Sequence, residues 1–522
     1  MQVFWRVLAI FLTATPAICQ NLPNGFELED IHPGESFDLP TAISFSSSGK
    51  LFVAEKRGRV YVVENGAKLQ PPFIDLEDEV LNTHDLGLLG MAVDPDFTHN
   101  RFVYLLYVVD PDADGEDDEG LGFGRLTRYT AQSNNPNQAD LSSRRVLLGE
   151  EWRDAIPVCH LSHSVGSIRF GTDGSLLVST GDGTSFEGTD TGGVTPDCFG
   201  ADRIDPEEDI GQFRAQTITS LSGKILRLDP RTGLGLPSNP YFTGDPQDTE
   251  SKVWAYGLRN PFRFDVKQDG SSDPSDGAPG SLFIGDVGAG RFEELNLTRD
   301  GGENFGWPCF EGPIRTSRKG NARCQNIGSD ENPVDHTRPL VSVNHDDPDK
   351  SRPPGFTGDA IIGGTFYTGT RYPNEYQGYF FGDFIRGWIR VLHVTGENEL
   401  RRLEPFLSNA GRSMVDFQAD PFTGDIHYVD IANGKVFRIR YLDFEDEMNL
   451  GDLNADNSCN ATDALILLSH DVDLPIPQPF LDRINMGLGD VNSDGITNVT
   501  DALILLSVDM SLPVPFPVCE PR

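Results

Sequence analysis

Short runs of alternating apolar and polar residues recur along most of the chain, and the turns between them are rich in Asp, Ser and Gly. A period of two is typical of half-buried β-strands, and turns of this composition join antiparallel strands into meanders. Copies of the strand–turn–strand unit begin at residues 43, 90, 167, 262, 364 and 415. This pattern predicts a mainly β fold, a six-bladed β-propeller. A pair of β-sandwiches is the alternative.

The pattern divides the chain into four segments. A secretory signal peptide is predicted over residues 1–19, because a short apolar run precedes small residues up to Cys19. A membrane anchor is the alternative, but the run is too short to cross a bilayer. The propeller is predicted over residues 20–441, a linker over 442–450 and a second domain over 451–522. We therefore expect a secreted, extracellular protein without membrane insertion.

Composition narrows the possible partners. The chain has 80 acidic residues against 42 Lys and Arg, a formal net charge of −38, which excludes a general nucleic-acid or anionic-membrane binder. Six cysteines remain after Cys19, an even number that indicates disulfides in an exported protein. We favour the sequential pairs Cys159–Cys198, Cys309–Cys324 and Cys459–Cys519, although other connectivities stay open.

Two near-identical segments, residues 451–469 and 489–507, carry oxygen-bearing side chains at positions 1, 3, 5, 9 and 12 of a loop. Position 7 can offer its backbone carbonyl. Calcium takes six to eight oxygen ligands from loops of this kind. Turns that only cap the following helices are the alternative. The predicted calcium ligands are Asp452, Asn454, Asp456, Ser458, Asn460 and Asp463 in the first loop, and Asp490, Asn492, Asp494, Ile496, Asn498 and Asp501 in the second.

With the apolar helices that follow each loop, the segment from residue 451 to about residue 519 closely resembles a type I dockerin domain. The resemblance implies a small α-helical domain with two EF-hand-type calcium loops, which docks onto a cohesin-type domain. In that family loop positions 10 and 11 help to set partner choice. Here those positions hold Ala461, Thr462, Val499 and Thr500.

The propeller segment, from about residue 35 to 441, resembles the soluble quinoprotein glucose/sorbosone dehydrogenase family. The joint order of several motifs carries the resemblance: residues 87–97 (GLLGMAVDPDF), 163–174 (HSVGSIRFGTDG), 222–228 (SGKILRL), 256–261 (YGLRNP), 285–296 (GDVGAGRFEELN), 304–308 (NFGWP) and 363–367 (GGTFY). The resemblance implies pyrroloquinoline quinone (PQQ) and calcium as cofactors. It also implies oxidation of a sugar, polyol or polysaccharide-derived substrate.

The resemblance also implies roles for individual residues. His163 would be the general base, a role that suits a neutral imidazole. Arg259 and Asn260 would bind the cofactor, because the fork of an arginine matches carboxylates. Asp85 stands at a further cofactor-binding position. The implied calcium ligands are the backbone carbonyls of Gly288 and Ala289, and the carboxylate of Glu294 at a second site.

Some positions depart from the family pattern. The Arg-x-Arg-Asp signature of the last blade falls at Ser413, Met414, Val415 and Asp416, so both arginines are missing, and the neighbouring Arg412 is the candidate substitute. Other departures are Ser162 for an aspartate, Ala289 for a proline and Phe305 for a tyrosine. A non-catalytic propeller that binds carbohydrate or protein is therefore the second hypothesis. A hydrolase or lyase with paired carboxylates is the third.

Overall fold

The computed structural model describes residues 22–519, apart from residues 65, 111–121, 187, 189, 194–203, 326, 328–335, 347–355, 409–412, 443–448, 455–457, 473, 486 and 517. The predicted signal peptide, Cys198, Arg412, Asp456 and most of the predicted linker therefore lie outside the described residues.

Six antiparallel sheets follow one another along the chain. Blade 1 consists of Pro40–Phe45, Leu51–Glu55, Arg59–Glu64, Ala67–Lys68 and Ile74–Asp75. Blade 2 consists of Leu88–Val93, Phe102–Val108, Gly124–Ala131 and Ala139–Leu148. Blade 3 consists of Val165–Phe170, Leu176–Thr180, Lys224–Leu228 and Val253–Tyr256. Blade 4 consists of Pro261–Val266, Leu282–Asp286, Phe292–Thr298 and Val341–Asn344. Blade 5 consists of Ile361–Phe366, Tyr379–Asp383, Trp388–Val394 and Leu400–Ser408. Blade 6 consists of Met414–Ala419, Ile426–Asp430, Lys435–Tyr441 and Phe26–Asp30.

The first-named strand of each blade is its innermost strand. Each innermost strand packs against that of the next blade, and the sixth packs against the first. The innermost strands are almost fully buried on both faces, since each blade is covered by its neighbours. Apolar clusters fill the spaces between blades. The predicted six-bladed propeller is confirmed.

The ring is closed by a strand that the sequence pattern did not reveal. Phe26–Asp30 precedes blade 1 in the chain but forms the outer edge of blade 6, where it pairs antiparallel with Lys435–Tyr441. The pairing runs from Phe26 opposite Tyr441 to Asp30 opposite Phe437. The two ends of the propeller segment are thereby joined by a β-ladder.

All six innermost strands show a register irregularity close to their first residue. Bulges of this kind redirect side chains and are common at the rims of barrels and beside active sites. We call the end of the propeller at which the innermost strands begin the upper rim. The loops that lead into Val165–Phe170 and Pro261–Val266 belong to this rim and carry the predicted catalytic and cofactor-binding residues.

Ion pairs cross the axis of the ring. Arg263 of blade 4 donates to the backbone carbonyl of Thr41 in blade 1 at 2.7 Å and lies 3.3 Å from the carboxylate of Asp416 in blade 6. Arg169 of blade 3 reaches the same carboxylate at 3.2 Å. All three charged residues are buried, so charged side chains fill the axis and form a floor under the upper rim.

Short elements decorate the connections. One α-helical turn spans Phe97–Asn100, and a hairpin pairs Phe310–Glu311 with Ile314–Arg315. The Cys309–Cys324 disulfide encloses this hairpin, as predicted. Cys159 is disulfide-bonded as well, and its predicted partner lies outside the described residues. The 3-10 helices are Trp152–Asp154, Pro206–Glu208, Gly211–Gln216, Glu250–Lys252, Pro274–Asp276, Ser317–Gly320, Ala322–Cys324 and Asn374–Tyr376.

The C-terminal domain is helical, as predicted, with helices Ala461–Asp471, Gln478–Asn485 and Val499–Asp509. The first and third helices follow the duplicated loops and start with the same capping box, in which an Asn at the N-cap and an Asp three residues later exchange hydrogen bonds with the backbone. The two helices pack against each other around Leu467 and Leu505. The predicted Cys459–Cys519 disulfide is present.

Candidate active site at the upper rim

His163 immediately precedes the bulged innermost strand of blade 3, and its backbone has a φ of +52°, which is uncommon for a residue other than glycine. The residue is 6% exposed. Its Nδ1 atom lies 3.0 Å from Oδ1 of Asp182, whereas no described residue hydrogen bonds to Nε2. A carboxylate only accepts, so Nδ1 carries the proton and Nε2 keeps its lone pair. His163 therefore presents a proton acceptor on Nε2.

Asp182 is held by donors on both carboxylate oxygens. Oδ1 accepts from His163 and from the backbone N–H and hydroxyl of Thr184, at 3.0 and 2.8 Å. Oδ2 accepts from the indole N–H of Trp307 at 2.8 Å. Burial raises the pKa of Asp182, but His163 and the hydrogen bonds outweigh burial and hold the pKa below its ordinary value. The carboxylate is thus ionised and fixed in orientation.

The protonation state of His163 follows from its neighbours. Burial lowers the pKa of His163 below its ordinary value, and the charge of Arg259 lowers it further. Asp182 and Asp85 act in the opposite direction without restoring it. His163 is therefore neutral at neutral pH, which is the state that a general base requires.

Asp182 occupies a position that recurs around the ring. In most blades a buried acidic residue stands at or just after the end of the second strand. In blades 1, 4 and 5 it accepts from backbone N–H groups at the upper rim: Glu55 from residue 38, Asp286 from residues 259 and 260, and Asp383 from residues 359 and 360. In blade 3 the same position binds the imidazole of His163 instead.

Arg259 and Asn260 form the turn that leads into blade 4. Asp286 fixes this turn by accepting both backbone N–H groups, that of Asn260 at 2.6 Å. Burial raises the pKa of Asp286 to about 7. The guanidinium of Arg259 is 5% exposed and donates to the carbonyls of Val287 and Gly288 at 2.9 and 2.6 Å. The turn therefore brings Arg259 next to the loop predicted to bind calcium.

A second arginine joins the site from the loop between the third and fourth strands of blade 4. Arg318 comes from the 3-10 helix Ser317–Gly320, beyond the disulfide-enclosed hairpin. Its Cζ atom lies 5.1 Å from the centre of the Trp307 ring, and that of Arg259 lies 5.4 Å from it. Two guanidinium groups therefore lie close to one indole ring, and the same indole donates to Asp182.

The loop of residues 288–292 is held by two buried carboxylates. Oε1 of Glu311 accepts from four consecutive backbone N–H groups, residues 289 to 292, at 2.7 to 3.1 Å. Glu293 accepts from the N–H of Gly288 at 3.1 Å. In a trans peptide the carbonyl points away from the following N–H. The carbonyls of Gly288 and Ala289 therefore both point away from Glu311.

Glu294, predicted as a second calcium ligand, lies opposite Asp286 on the neighbouring strand. Its carboxylate accepts from the N–H of Gly312 at 2.5 Å and from the amide of Asn296 at 2.9 Å. Burial, followed by the charge of Asp286, raises the pKa of Glu294 to about 8. Its calcium role stays a prediction.

Asp85 lies on the upper rim before blade 2, and its N–H donates to the carbonyl of Leu161 at 3.1 Å. Its side chain is exposed but close enough to His163 to influence the pKa of the imidazole. The structure thus gathers Asp85, His163, Arg259 and Gly288 at one site.

The residues present fit the cofactor that the resemblance implies. PQQ is planar and carries carboxylates, and the guanidinium groups of Arg259 and Arg318 beside Trp307 suit a flat anion. Arg318 supplies a second cation beside Arg259 and Trp307. Calcium prefers oxygen ligands. The carbonyl of Ala289 offers one, and the carbonyl of Gly288, which accepts from Arg259, offers its second lone pair.

The two C-terminal loops repeat each other in geometry. Asp463 accepts from the N–H groups of residues 453, 454 and 460 at 2.8, 3.1 and 3.0 Å. Asp501 accepts from residues 491, 492 and 498 at the same three distances. In the second loop Asp490 and Asp494 accept further backbone N–H groups of the loop, and Gly495 adopts a φ of +86°. The predicted metal ligands of both loops are oxygen atoms, which are the ligands that calcium prefers.

In the part of the chain that the structure describes, no three His, Cys, Asp or Glu side chains are grouped closely enough to hold a metal ion. The predicted ligand sets also use Asn side chains and backbone carbonyls. None of the described helices combines the length and the apolar character needed to cross a bilayer.

Comparison with known proteins agrees with the fold. Residues 37–438 match the family described as Glucose / Sorbosone dehydrogenase, and residues 450–507 match the dockerin type I domain. The first match covers well over half of the chain. The protein therefore belongs to the glucose/sorbosone dehydrogenase family and carries a C-terminal dockerin type I domain.

The following three proteins are among those similar to this chain. HIPL2 protein of Arabidopsis thaliana is 28% identical over 416 residues, 69% of this chain and 52% of the relative. Hedgehog-interacting protein of Homo sapiens is 29% identical over 253 residues, 46% and 31% of the two chains. The chain thus spans about half the length, or less, of these relatives. The PQQ-bound aldose sugar dehydrogenase of Streptomyces coelicolor shares the fold, with a TM-score of 0.54, 17% identity and coverage of 80% and 99%.

Proposed function

We propose that the protein is a secreted, calcium- and PQQ-dependent dehydrogenase that oxidises a hydroxyl group of a sugar or polyol. The observation that carries the proposal is the arrangement at Trp307: the indole donates to Asp182, which orients His163, and two guanidinium groups lie close to the ring. Membership of the glucose/sorbosone dehydrogenase family and the fold shared with a PQQ-bound aldose sugar dehydrogenase support the cofactor.

The residues divide the work of the reaction. Nε2 of His163 accepts the proton of the substrate hydroxyl, and Asp182 stabilises the imidazolium that forms. Arg259 and Arg318 hold carboxylates, and the carbonyls of Gly288 and Ala289 hold calcium. A bound quinone supplies the acceptor for the hydride that leaves the same carbon. The substrate thus loses one proton and one hydride, and its C–OH becomes C=O.

The test is a titration of PQQ into the full-length, disulfide-intact protein in millimolar-order calcium, followed by a sugar and polyol screen with an artificial electron acceptor. We expect saturable binding that Arg259→Ala abolishes. Arg231→Ala is the matched control, because Arg231 is exposed on a blade 3 loop away from the site. A folded protein that does not bind PQQ would contradict the quinoprotein mechanism.

We further propose that the dockerin domain tethers the propeller to a cohesin-type domain. The oxygen-rich loops and the match to the dockerin type I model support this proposal. Complex formation with a panel of cohesins should require calcium and disappear with a chelator. A panel without any binder, tested with the folded calcium-loaded protein, would count against it.

A non-catalytic propeller that binds carbohydrate or protein is the second candidate. The similarity to Hedgehog-interacting protein, a relative named for an interaction, favours it. So do Ser413 and Val415, which stand where the family pattern has arginines. Saturable binding of a glycan or protein ligand, without any binding of PQQ, would establish this function.

A further inference from the structure

Arg214 lies on the buried 3-10 helix Gly211–Gln216, in the long connection between the second and third strands of blade 3. The residue is only 1% exposed, so its side chain is sealed beneath the site. The helix is anchored independently of that side chain. Nζ of Lys224 donates to the carbonyls of Arg214 and Ala215 at 2.9 and 3.1 Å, and the N–H of Gly257 donates to Ala215 at 2.9 Å. The backbone of Arg214 is therefore held in place by these hydrogen bonds.

The guanidinium of Arg214 is directed at the backbone that carries Asp182. Nε and Nη2 both donate to the carbonyl of Asp182, at 3.2 and 3.1 Å. Nη2 also donates to the carbonyl of Gly183 at 3.1 Å. Nη1 donates to the carbonyl of Glu208 at 3.1 Å. The planar fork thus grips two consecutive carbonyls, a geometry that the ammonium of a lysine cannot reproduce.

The N–H groups of the same two residues are fixed by other parts of the rim. The N–H of Asp182 donates to the carbonyl of Arg259, and that of Gly183 donates to the carbonyl of His163, both at 2.8 Å. With Arg214 on the carbonyls, every backbone polar group of residues 182 and 183 has a partner. The Asp182 carboxylate, which accepts from Nδ1 of His163, is therefore attached to a backbone that hydrogen bonds hold in place.

We propose that Arg214 is a positioning residue for His163: its grip on the carbonyls of Asp182 and Gly183 fixes the carboxylate that holds the imidazole with Nε2 free. Arg214 touches neither substrate nor cofactor and acts through Asp182. The proposal rests on the proton-accepting role proposed for His163.

The experiment follows the tautomer of His163 by NMR in the full-length protein labelled with ¹⁵N-histidine. The His163 signals are assigned by their loss in His163→Gln. In the wild type we expect the neutral imidazole to carry its proton on Nδ1 alone. In Arg214→Met we expect both tautomers, because the carbonyl of Asp182 loses both of its donors and the backbone that carries the carboxylate can shift, although Thr184 and Trp307 still contact the carboxylate oxygens. With PQQ and a substrate present, kcat should fall by about ten- to a hundredfold at nearly unchanged KM.

Arg227→Met is the matched control. Arg227 is an equally buried arginine of blade 3, but it pairs with Asp173 at 2.6 Å, away from the site. The control should lower stability and leave the His163 tautomer unchanged. If Arg214→Met does not fold, Arg214→Gln, which keeps a donor for one carbonyl, is read in the same way. A folded Arg214 variant with only the wild-type tautomer would overturn the proposal.

The tautomer measurement also separates this proposal from the proposed function. It needs neither cofactor nor substrate, so a protein that oxidises nothing still reports whether Arg214 fixes His163. Conversely, an active enzyme whose Arg214 variants keep the wild-type tautomer and kcat would retain the dehydrogenase function and lose the positioning role.

Discussion

Replacing Asp182 with asparagine tests the base assignment most directly. The amide can place its oxygen on only one side of the side chain. If the oxygen stays at Oδ1, it keeps His163 and the two donors of Thr184, but the NH₂ group then faces the indole N–H of Trp307. The reversed orientation satisfies Trp307 but turns the NH₂ group towards the backbone N–H of Thr184, and it can bind His163 only in the tautomer whose proton is on Nε2. Each orientation therefore loses one hydrogen bond, and only the first keeps Nε2 of His163 as a proton acceptor.

The size of the effect follows from that orientation. A hydrogen bond to a charged acceptor contributes about 1.5–3 kcal/mol and one between neutral groups about 0.5–1.5 kcal/mol. The imidazolium of His163 thus loses roughly 1–1.5 kcal/mol of stabilisation, and its pKa should fall by about 1. The same amount raises the barrier, so kcat should fall by about tenfold or more. The orphaned indole N–H should cost about 1–3 kcal/mol of folding stability.

The assay is the pH profile of kcat/KM for the wild type and Asp182→Asn, together with thermal unfolding and PQQ affinity. The acidic limb should move to lower pH, because Asp182 raises the pKa of His163 and the variant lacks its charge. The plateau should fall while the PQQ affinity changes little. An unchanged limb and plateau in a folded variant would refute the reasoning, because they would show that His163 does not depend on Asp182.

Two further predictions concern stability. Burial lowers the pKa of Lys224 from 10.5 to about 7; between these values the unfolded chain binds the proton more readily, so stability should rise with pH. The free energy of unfolding measured in urea should be higher at pH 9.5 than at pH 7 in the wild type but not in Lys224→Met. The same pH dependence in both proteins would contradict the prediction. The Cys459–Cys519 disulfide closes a 60-residue separation, which is worth about 4 kcal/mol in the chain-entropy model. Without calcium, hydrogen exchange in helix Val499–Asp509 should be much faster in the Cys459→Ser, Cys519→Ser double variant than in the wild type, and calcium should restore protection; equal exchange without calcium would contradict the prediction.

The propeller was readable from the sequence because each blade repeats a local pattern. Alternating strands and Gly-containing turns depend on neighbouring residues, so six copies could be recognised one at a time. The ring-closing strand Phe26–Asp30 could not be recognised in this way. Its partner, Lys435–Tyr441, lies about four hundred residues further along the chain, and only the completed ring brings the two strands together.

The candidate site was readable in part for the same reason. His163 and Arg259 stand in motifs that can be matched position by position, whereas Asp182 meets His163 across a turn 19 residues away. A signal for Asp182 was nevertheless present, since an acidic residue recurs near the end of the second strand in most blades. Arg318 had no such signal, because its position depends on how the disulfide-enclosed loop folds back over Trp307.

The β-ladder that closes the ring also bears on how the protein responds to force. The chain leaves the propeller at Tyr441, which pairs with Phe26, and continues towards the dockerin domain. Any pull transmitted through that domain enters the propeller at Lys435–Tyr441, the strand to which Phe26–Asp30 is bonded. This ladder is therefore the first part of the propeller to bear such a load.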